Sequence, residues 1–386
     1  MTAIPTLAIA RLTLTDFRNY AGLRLPVAAK LVALAGSNGA GKTNILEAIS
    51  LLSPGRGLRG ASFDELARHG GAGSWAIAAE IETVDGPVSL GTGWSGQSEA
   101  NDGGGQSRMV IIDGTPQKSS GALGDHMRLL WLTPAMDRLF AGPASDRRRF
   151  LDRLVTAFDP EHGSRILVFE KVMRERNLLL DDARADLTWM SSLEAHMAEA
   201  AVAIAAARLT GLEALQRHVA EARSDSSFPW GDISVDGEVE GLISTMPAVR
   251  VEDEYRKILR DSRGLDRAAG RTLRGPHRSD LVVVHGPKQM AAELCSTGEQ
   301  KALLIGLILA QARAVKEVSG VAPVLLLDEV AAHLDMRRRK GLFEALAALG
   351  SQSWMTGTDA SLFDGVGPEG TVLHVEDGNA MEVMGR

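Results

Sequence analysis

The sequence predicts an α/β fold interrupted by a helical block, and three observations lead to this prediction. Near the beginning, a continuous apolar run at 31–35 precedes a glycine-rich loop and then apolar residues at helical spacing. From 145 to about 219 the period of the apolar residues is helical. After 279, short apolar runs and helical segments alternate again. Because the end of the chain returns to the pattern of its beginning, we expect the helical block to be inserted into one α/β domain.

The first strands of the chain are predicted from two patterns, the alternation of apolar with polar residues and continuous apolar runs. Alternating apolar and polar residues predict half-buried strands at 8–14 and 23–27. The run at 31–35 predicts a fully buried strand, which a helix over 44–52 follows. A glycine-rich stretch then contains apolar runs separated by turn signals. Its predicted strands are 75–81 and 109–112, and 96–106 (GQSEANDGGGQ) is a predicted polar loop.

The helical block contains three apolar stripes. Ser145 or Asp146 is the expected N-cap of the first helix, and Asp159 with Pro160 is the expected start of the second. The third stripe covers 193–219. These helices are long enough only for a short coiled-coil stub. After the block, strands are predicted at 281–285 and 324–327. One helix is predicted to begin at 298, between these strands, and a second helix follows the second strand and ends at 349.

Composition excludes several classes of protein. Hydrophobic residues make up 45% and charged residues 24% of the 386 residues, which excludes wholesale disorder. One cysteine, Cys295, excludes an intrachain disulfide framework and suits a reducing cytoplasm. No membrane-spanning run or signal peptide is recognisable, so we expect a cytoplasmic protein. The net charge of −7 disfavours a nucleic-acid partner unless basic residues gather locally.

The glycine-rich loop matches GxxxxGK[ST], the Walker A pattern. In such a loop, successive backbone N–H groups and the following helix N-terminus point at phosphate oxygens. We expect Lys42 to reach the β and γ phosphates of ATP and Thr43 to bind Mg²⁺. A glycine-rich turn without a ligand is the alternative. The other expected nucleotide-binding residues of the loop are Gly36, Ser37, Asn38, Gly39, Ala40 and Gly41.

Four apolar residues and two acids at 324–329 resemble a Walker B strand. We expect Asp328 beside Mg²⁺, and Glu329 to orient and deprotonate the attacking water. A buried strand places both acids at its carboxyl end, where the crevice of a parallel sheet opens. Acids at strand ends are often only solvated, but the Walker A pattern in the same chain favours the catalytic interpretation.

The segment STGEQK at 296–301 resembles the signature motif of ABC-type ATPases, with Cys295 and Thr297 in place of its leucine and first glycine. In that family the motif contacts the nucleotide of a second subunit. The resemblance therefore implies that Ser296 and Gly298 contact the γ-phosphate held by the other copy in an ATP-dependent homodimer. An ordinary helix cap is the alternative interpretation.

Two weaker resemblances to the same family follow. The segment AHLD at 332–335 looks like the D-loop, which makes Asp335 an expected nucleotide-site residue. Thr356 or Thr358 lies where the switch residue of the family is found, although transporters usually have histidine there. The region 132–137 contains no glutamine for the transporter-type Q-loop.

The spacing of the motifs and three further segments indicate which family of ABC-type ATPases the sequence resembles. Thr43 and Ser296 are 253 positions apart, longer than in transporter subunits and shorter than in coiled-coil chromosome proteins. The sequence resembles the RecF family of bacterial recombination mediator ATPases at LTDFRNY, RRRFLD and RGPHRSD, which begin at residues 14, 147 and 274. GRGLR at 55–59 resembles the family segment GRSFR, which makes Arg59 an expected nucleotide contact.

This resemblance implies an ABC-type ATPase head with a mixed sheet, an antiparallel β subdomain and an inserted helical second lobe. We expect the ATPase lobe at 1–130 and 270–386, and the helical lobe with its stub at 131–269. The implied activity is slow, DNA-stimulated hydrolysis of ATP with Mg²⁺ by a protein that dimerises on ATP. The implied task is to bind DNA at gaps and single-strand/duplex junctions and, with RecO and RecR, to promote RecA loading in recombinational repair and replication restart.

Two basic clusters are the candidate DNA contacts. One consists of Arg147, Arg148 and Arg149, and the other covers 337–340. Either cluster could instead be a solvated helix face, the first could brace the helical lobe, and the second could serve the dimer seam. Because aromatic residues make up only 4%, contact with the backbone of duplex DNA is favoured over base stacking.

Three other functions fit the sequence less well. A transporter-energising subunit would need a membrane partner and a shorter interval before the signature. A nuclease coupled to an ABC-type ATPase would need an additional acidic metal cluster in its own domain. A head that does not hydrolyse ATP is disfavoured by the intact Glu329.

Overall fold

The computed structural model describes residues 7–96, 108–182, 186–221, 227–332 and 334–382. The strands are β1 (Leu7–Phe17), β2 (Tyr20–Pro26), β3 (Leu31–Ala35), β4 (Ser74–Thr83), β5 (Gly86–Ser95), β6 (Met109–Ile112), β7 (Thr115–Pro116), β8 (Leu129–Leu132), β9 (Gly231–Asp236), β10 (Asp280–His285), β11 (Met290–Ala291), β12 (Val324–Leu327), β13 (Ser353–Gly357), β14 (Gly370–Glu376) and β15 (Asn379–Glu382). The helices are α1 (Lys42–Ser50), α2 (Ala144–Thr156), α3 (His162–Asp181), α4 (Leu187–Glu221), α5 (Glu238–Ile243), α6 (Ala248–Ala269), α7 (Thr297–Ser319) and α8 (Met336–Leu349). Short 3-10 helices occupy Asp64–Leu66, Ser120–Asp125, Pro134–Arg138, Pro276–Arg278, Gly286–Lys288, Ala292–Leu294 and Ala360–Phe363.

The chain divides into two compact units, each made of separate segments. The first contains Met1–Asp137, Asp225–Phe228 and Leu304–Arg386, and the second contains Arg138–Ser224 and Pro229–Leu303. The sequence suggested a lobe boundary at 269/270, whereas residues up to 303 group with the second unit. The reason is strand pairing, because β10 pairs with β9 along its whole length inside the second unit.

The first unit contains a mixed sheet that is parallel except at one edge. Its strand order is β15-β14-β3-β13-β12-β8, and only β15 runs antiparallel to its neighbour. Every residue of β3, β12 and β13 is buried, as expected of strands covered on both faces. The carboxyl ends of these three neighbours therefore meet at one edge of the sheet. The predicted mixed sheet is confirmed.

A second, antiparallel sheet in the first unit has the strand order β2-β1-β4-β5-β6-β7. Burial alternates along β2 and β4, so that one face packs against the core while the other is more exposed. The buried face shares one apolar cluster with α1 and with residues of the parallel sheet. The predicted antiparallel β subdomain is confirmed.

The second unit combines α2–α6 with a three-stranded sheet of order β11-β10-β9. Its apolar core joins α3, α4 and α6, with Phe169, Met197 and Tyr255 among the buried residues. A buried arginine of α3, Arg176, donates to Asp266 of α6 at 2.8 Å inside this core. No helix among the described residues combines the length and apolar character that crossing a membrane requires.

Two predicted helix starts need correction, and one predicted loop is not covered by the structure. Helix α2 begins at Ala144 with Pro143 as its N-cap, rather than after Ser145 or Asp146. Helix α3 begins at His162, because Asp159 instead accepts from the backbone N–H of Glu161 and forms a turn before the helix. The predicted loop 96–106 lies outside the described residues, except for residue 96.

Candidate nucleotide-binding site

The loop between β3 and α1 has a backbone that only glycine permits at several positions. Gly39 and Gly41 have φ angles of 85° and 111°, which favour glycine. A Cβ atom on Gly36 would lie 2.3 Å from the backbone oxygen of Val375. Ser37 and Asn38 are exposed at the loop tip, and Ala40 is half-buried. The loop thus leaves its backbone open to a close ligand.

Helix α1 begins directly after this loop. Its N-cap, Gly41, provides no side-chain acceptor for the N–H groups of the first turn. These groups and the helix dipole favour an anion at this end of the helix. The predicted order of buried strand, glycine-rich loop and helix is present.

Lys42 is buried and folds back over the loop. Its Nζ donates to the backbone oxygens of Gly36 at 2.7 Å and Ser37 at 2.8 Å. Burial lowers the pKa of Lys42, while the charges of Glu329 and Asp328 act in the opposite direction. A phosphate oxygen could replace the two carbonyl acceptors and supply the lysine with a counter-charge.

The acid that follows β12 meets the loop helix. Thr43 Oγ1 donates to Oδ1 of Asp328 at 2.9 Å, and Asp328 is only 5% exposed. The contact forms because β3 and β12 flank β13 in the parallel sheet, so that their carboxyl ends lie close together. The structure therefore brings together the two residues that the sequence predicted as Mg²⁺ ligands.

Thr356 of β13 connects the two acids. Its Oγ1 donates to Oδ1 of Asp328 at 2.7 Å and accepts from the backbone N–H of Glu329 at 2.8 Å. Glu329 has a φ of 50°, a left-handed conformation that is costly for a residue with a side chain. Thr358, by contrast, is exposed. Of the two threonines considered from the sequence, Thr356 contacts both acids.

The turn between β1 and β2 holds the glycine-rich loop from one side. Asn19 Nδ2 donates to the backbone oxygen of Ala40 at 3.2 Å, and Tyr20 Oη donates to that of Gly41 at 3.1 Å. Asn44 Nδ2 in turn donates to Oδ1 of Asn19 at 2.8 Å. The sequence singled out LTDFRNY only as a resemblance and assigned it no contact with the loop.

Two arginines converge on one buried acid of α1. Glu47 is 1% exposed and accepts from Nε and Nη2 of Arg18, both at 2.8 Å. Arg59, predicted as a nucleotide contact, donates through Nη1 to Oε2 of Glu47 at 3.0 Å and to Asn44 at 2.9 Å. Its guanidinium thus lies on the helix that begins at Lys42, and its side chain is 42% exposed.

The predicted signature residues lie at the start of α7, within the second unit. Ser296, Thr297 and Gly298 are exposed, and no described atom outside the helix backbone comes within 4 Å of a Cβ built on Gly298. The backbone N–H of Ser296 donates to Oε2 of Glu299 at 3.0 Å, one half of a capping box. The start of the helix is thus ordered and open.

Asp335 is the N-cap of α8. Its Oδ1 accepts from the backbone N–H of Arg338 at 2.8 Å, which is a sufficient structural reason for an aspartate at this position. Its side chain is exposed, and His333 of the predicted D-loop lies outside the described residues.

The first basic cluster is mostly engaged within the second unit. Arg147 makes a two-point contact with Asp280, at 2.8 and 2.6 Å, and Arg148 donates to the backbone oxygen of Ser279 at 2.8 Å. Arg149 is exposed and pairs with Asp146. Arg147 thereby joins the segments RRRFLD and RGPHRSD. In the sequence these were two separate resemblances to the same family, with no sign that they are in contact. In the second cluster, Arg337 and Lys340 are exposed.

The chain is similar to known proteins in sequence and in fold. The family model described as the RecF/RecN/SMC N terminal domain matches residues 8–372. The DNA replication and repair protein RecF of Mesorhizobium japonicum is 53% identical over 371 residues, 96% of each chain. That of Rhizobium leguminosarum bv. trifolii is 50% identical over 375 residues, 97% of this chain and 99% of the relative. A solved structure of the recombination mediator protein RecF-ATP in the RecFOR pathway is 24% identical and superimposes with a TM-score of 0.86 over 99% of both chains. The predicted fold is confirmed by this likeness.

Proposed function

The chain belongs to the RecF family of DNA replication and repair proteins, and from that premise we propose that it is a DNA-binding protein switched by ATP. In this proposal, ATP binding joins two copies into a dimer that holds DNA. Hydrolysis of ATP to ADP and phosphate is slow, is stimulated by DNA and ends the dimer. No transport or nuclease chemistry is part of the proposal.

The observation that carries the proposal is the contact between Thr43 and Asp328 beside the glycine-rich loop. The hydroxyl oxygen of Thr43 and the carboxylate oxygens of Asp328 are the kind of ligand that Mg²⁺ prefers. Bound Mg²⁺ would neutralise charge on the β and γ phosphates. The backbone N–H groups of 36–43 hold the phosphates. Lys42 releases the oxygens of Gly36 and Ser37 and turns to the β and γ phosphates.

Glu329 is the proposed general base. It orients a water molecule in line with the γ-phosphorus and accepts a proton from it as the new oxygen–phosphorus bond forms. The bond from the γ-phosphorus to the bridging oxygen breaks, and ADP leaves with that oxygen. Thr356 keeps the backbone of Glu329 in its left-handed conformation.

We propose that the second half of each site comes from the other copy. Ser296 and Gly298 present a hydroxyl, a backbone N–H and the positive end of α7 to the γ-phosphate. The exposure of both residues supports this role. Asp335 lies beyond the Walker B acids in the chain, and we place it at the same dimer seam. Arg59 is the proposed additional contact to nucleotide, on release from Glu47.

We propose that the dimer recognises duplex DNA at gaps and single-strand/duplex junctions through phosphate contacts. The exposed residues Arg149, Arg337 and Lys340 are the best-placed candidates, because Arg147 and Arg148 are engaged internally. RecO and RecR are the proposed partners and RecA the protein whose loading is promoted, in the cytoplasm. The RecFOR pathway named for the solved relative supports this assignment.

The test is the affinity for gapped duplex DNA with ATP, with ADP and without nucleotide, measured by fluorescence anisotropy. We expect ATP with Mg²⁺ to tighten binding at least about tenfold, and rising salt to weaken it steeply because phosphate contacts release counter-ions. Lys42→Met should lose the ATP effect but keep the weak nucleotide-independent binding. DNA affinity that ignores both ATP and salt would contradict the proposal.

A further inference from the structure

A lysine outside the signature motif is paired with the motif's acid. Nζ of Lys288 lies 2.6 Å from Oε1 of Glu299 in the first turn of α7. The other carboxylate oxygen of Glu299 accepts from the backbone N–H of Ser296. The carboxylate of Glu299 therefore joins Ser296, at the start of the signature helix, to Lys288, which precedes Ser296 by eight positions in the chain.

Lys288 lies in a short hairpin, which fixes its position. Strands β10 and β11 pair His285 with Met290, and Lys288 lies at the tip between them. Gly286 packs so closely on Trp230 that an added Cβ would lie 2.2 Å from its ring. Gln289, with a φ of 50°, closes the tip by donating through Nε2 to the oxygen of Gly286 at 2.7 Å.

The negative charge of Glu299 opposes the proposed contact with a phosphate. Its carboxylate lies in the same helical turn that offers Ser296 and Gly298 to the γ-phosphate, so the carboxylate and the phosphate would repel each other. Protonation does not remove this charge, since Lys288 and the N–H of Ser296 lower the pKa of Glu299 to about 2. A cation beside the carboxylate can neutralise this charge, and Lys288 is in that position.

We propose that Lys288 is a positioning residue that neutralises Glu299 and so allows the γ-phosphate bound by the second copy to reach Ser296 and Gly298. Lys288 acts through Glu299 and does not itself touch the nucleotide. The inference rests on the proposed function, because it presupposes that dimerisation places a phosphate at the start of α7. The side chain of Lys288 is 46% exposed, so its replacement leaves the core intact.

The test compares Lys288→Met, Glu299→Gln and the double variant, all in the full chain. Analytical ultracentrifugation gives the dimer dissociation constant with ATP and Mg²⁺, and dilute titration gives the ATP affinity of the monomer. We expect Lys288→Met to weaken dimerisation about tenfold, because the exposed anion then opposes the phosphate. ATP affinity of the monomer should stay the same. Lys288→Arg should behave like the wild type.

The double variant separates the proposed role from a direct contact or a structural one. Removing the Glu299 charge as well should restore dimerisation to within about twofold of Glu299→Gln alone, since nothing is left to neutralise. Lys257→Met, which removes another exposed lysine near a glutamate on α6, is the matched control and should have no effect. Normal dimerisation of Lys288→Met, or a double variant as weak as Lys288→Met, would overturn the inference. A wild type that never dimerises with ATP would instead overturn the proposed function.

Discussion

The hydroxyl of Thr43 donates to the carboxylate of Asp328 at 2.9 Å, across 285 positions of the chain. This contact joins the first turn of α1 to the end of β12. Asp328 also accepts from Thr356, so the carboxylate is held by two hydroxyls. The proposed Mg²⁺ ligands Thr43 and Asp328 therefore lie in one polar network with Thr356.

The hydroxyl of Thr356 is expected to matter for hydrolysis more than for binding. Thr356→Val keeps the shape of the buried side chain but removes the donor to Asp328 and the acceptor for the N–H of Glu329. We expect kcat for ATP hydrolysis to fall at least about tenfold while the ATP dissociation constant changes less than about threefold. Thr356→Ser should retain most activity. Equal losses of affinity and of kcat would argue against this role.

The Tyr20 hydroxyl is expected to support the glycine-rich loop. Burial raises the pKa of Tyr20, so the phenol remains a donor to the oxygen of Gly41. Tyr20→Phe should weaken ATP binding roughly threefold and lower the free energy of unfolding by about 1 kcal/mol. Tyr255→Phe removes a similar bond, to Arg274 in the second unit, and is the matched control. If both variants weaken ATP binding equally, the effect of Tyr20 is not local.

Breaking the buried pair of Arg176 and Asp266 is expected to destabilise the second unit strongly. Both side chains are fully buried, and Arg176 also donates to Glu194 at 3.1 Å. Arg176→Met would leave buried carboxylate charge without its partner, so urea denaturation should show a loss of about 3–5 kcal/mol. Arg174→Met, which removes an exposed arginine of the same helix, should cost less than about 0.5 kcal/mol. Similar losses for the two variants would refute the assignment.

The sequence predicted individual strands and helices better than it predicted contacts between distant residues. Strands β3 and β12 were predicted with the bounds that the structure has, because each is a short continuous apolar run with turn or loop residues on both sides. Helix starts were less well predicted, because several adjacent residue types can cap a helix. Pro143 precedes α2, although Ser145 and Asp146 both suit an N-cap.

Apart from the expected meeting of Thr43 and Asp328 at Mg²⁺, contacts between distant segments could not be predicted. The sequence contained the residues Arg147 and Asp280 within two recognisable segments, but nothing in it indicated that these residues pair over 133 positions. In the same way, Asn19 and Tyr20 were recognised only as part of a motif. Their contacts with the glycine-rich loop depend on how the two sheets of the first unit pack together. Packing of this kind is visible only in three dimensions.

Ser296 is expected to act on the nucleotide of the other copy. Ser296→Arg places a large charged side chain at the exposed start of α7, so it should abolish ATP-dependent dimerisation and hydrolysis. The ATP affinity of the isolated monomer should remain nearly unchanged, because the residue is not part of that copy's own phosphate loop. Ser296→Ala, which adds no bulk, should dimerise more weakly than the wild type but still measurably. A large loss of monomer affinity in Ser296→Arg would place Ser296 in its own copy's site instead.

The most direct test of the ATP-dependent dimer is the molar mass of Glu329→Gln, measured by size exclusion with light scattering, with and without ATP and Mg²⁺. This change removes the proposed base and leaves the phosphate contacts intact, so bound ATP should persist. We expect a monomer without nucleotide and a stable dimer with ATP, including in the presence of gapped DNA. A Glu329→Gln protein that remains monomeric at saturating ATP would contradict this expectation.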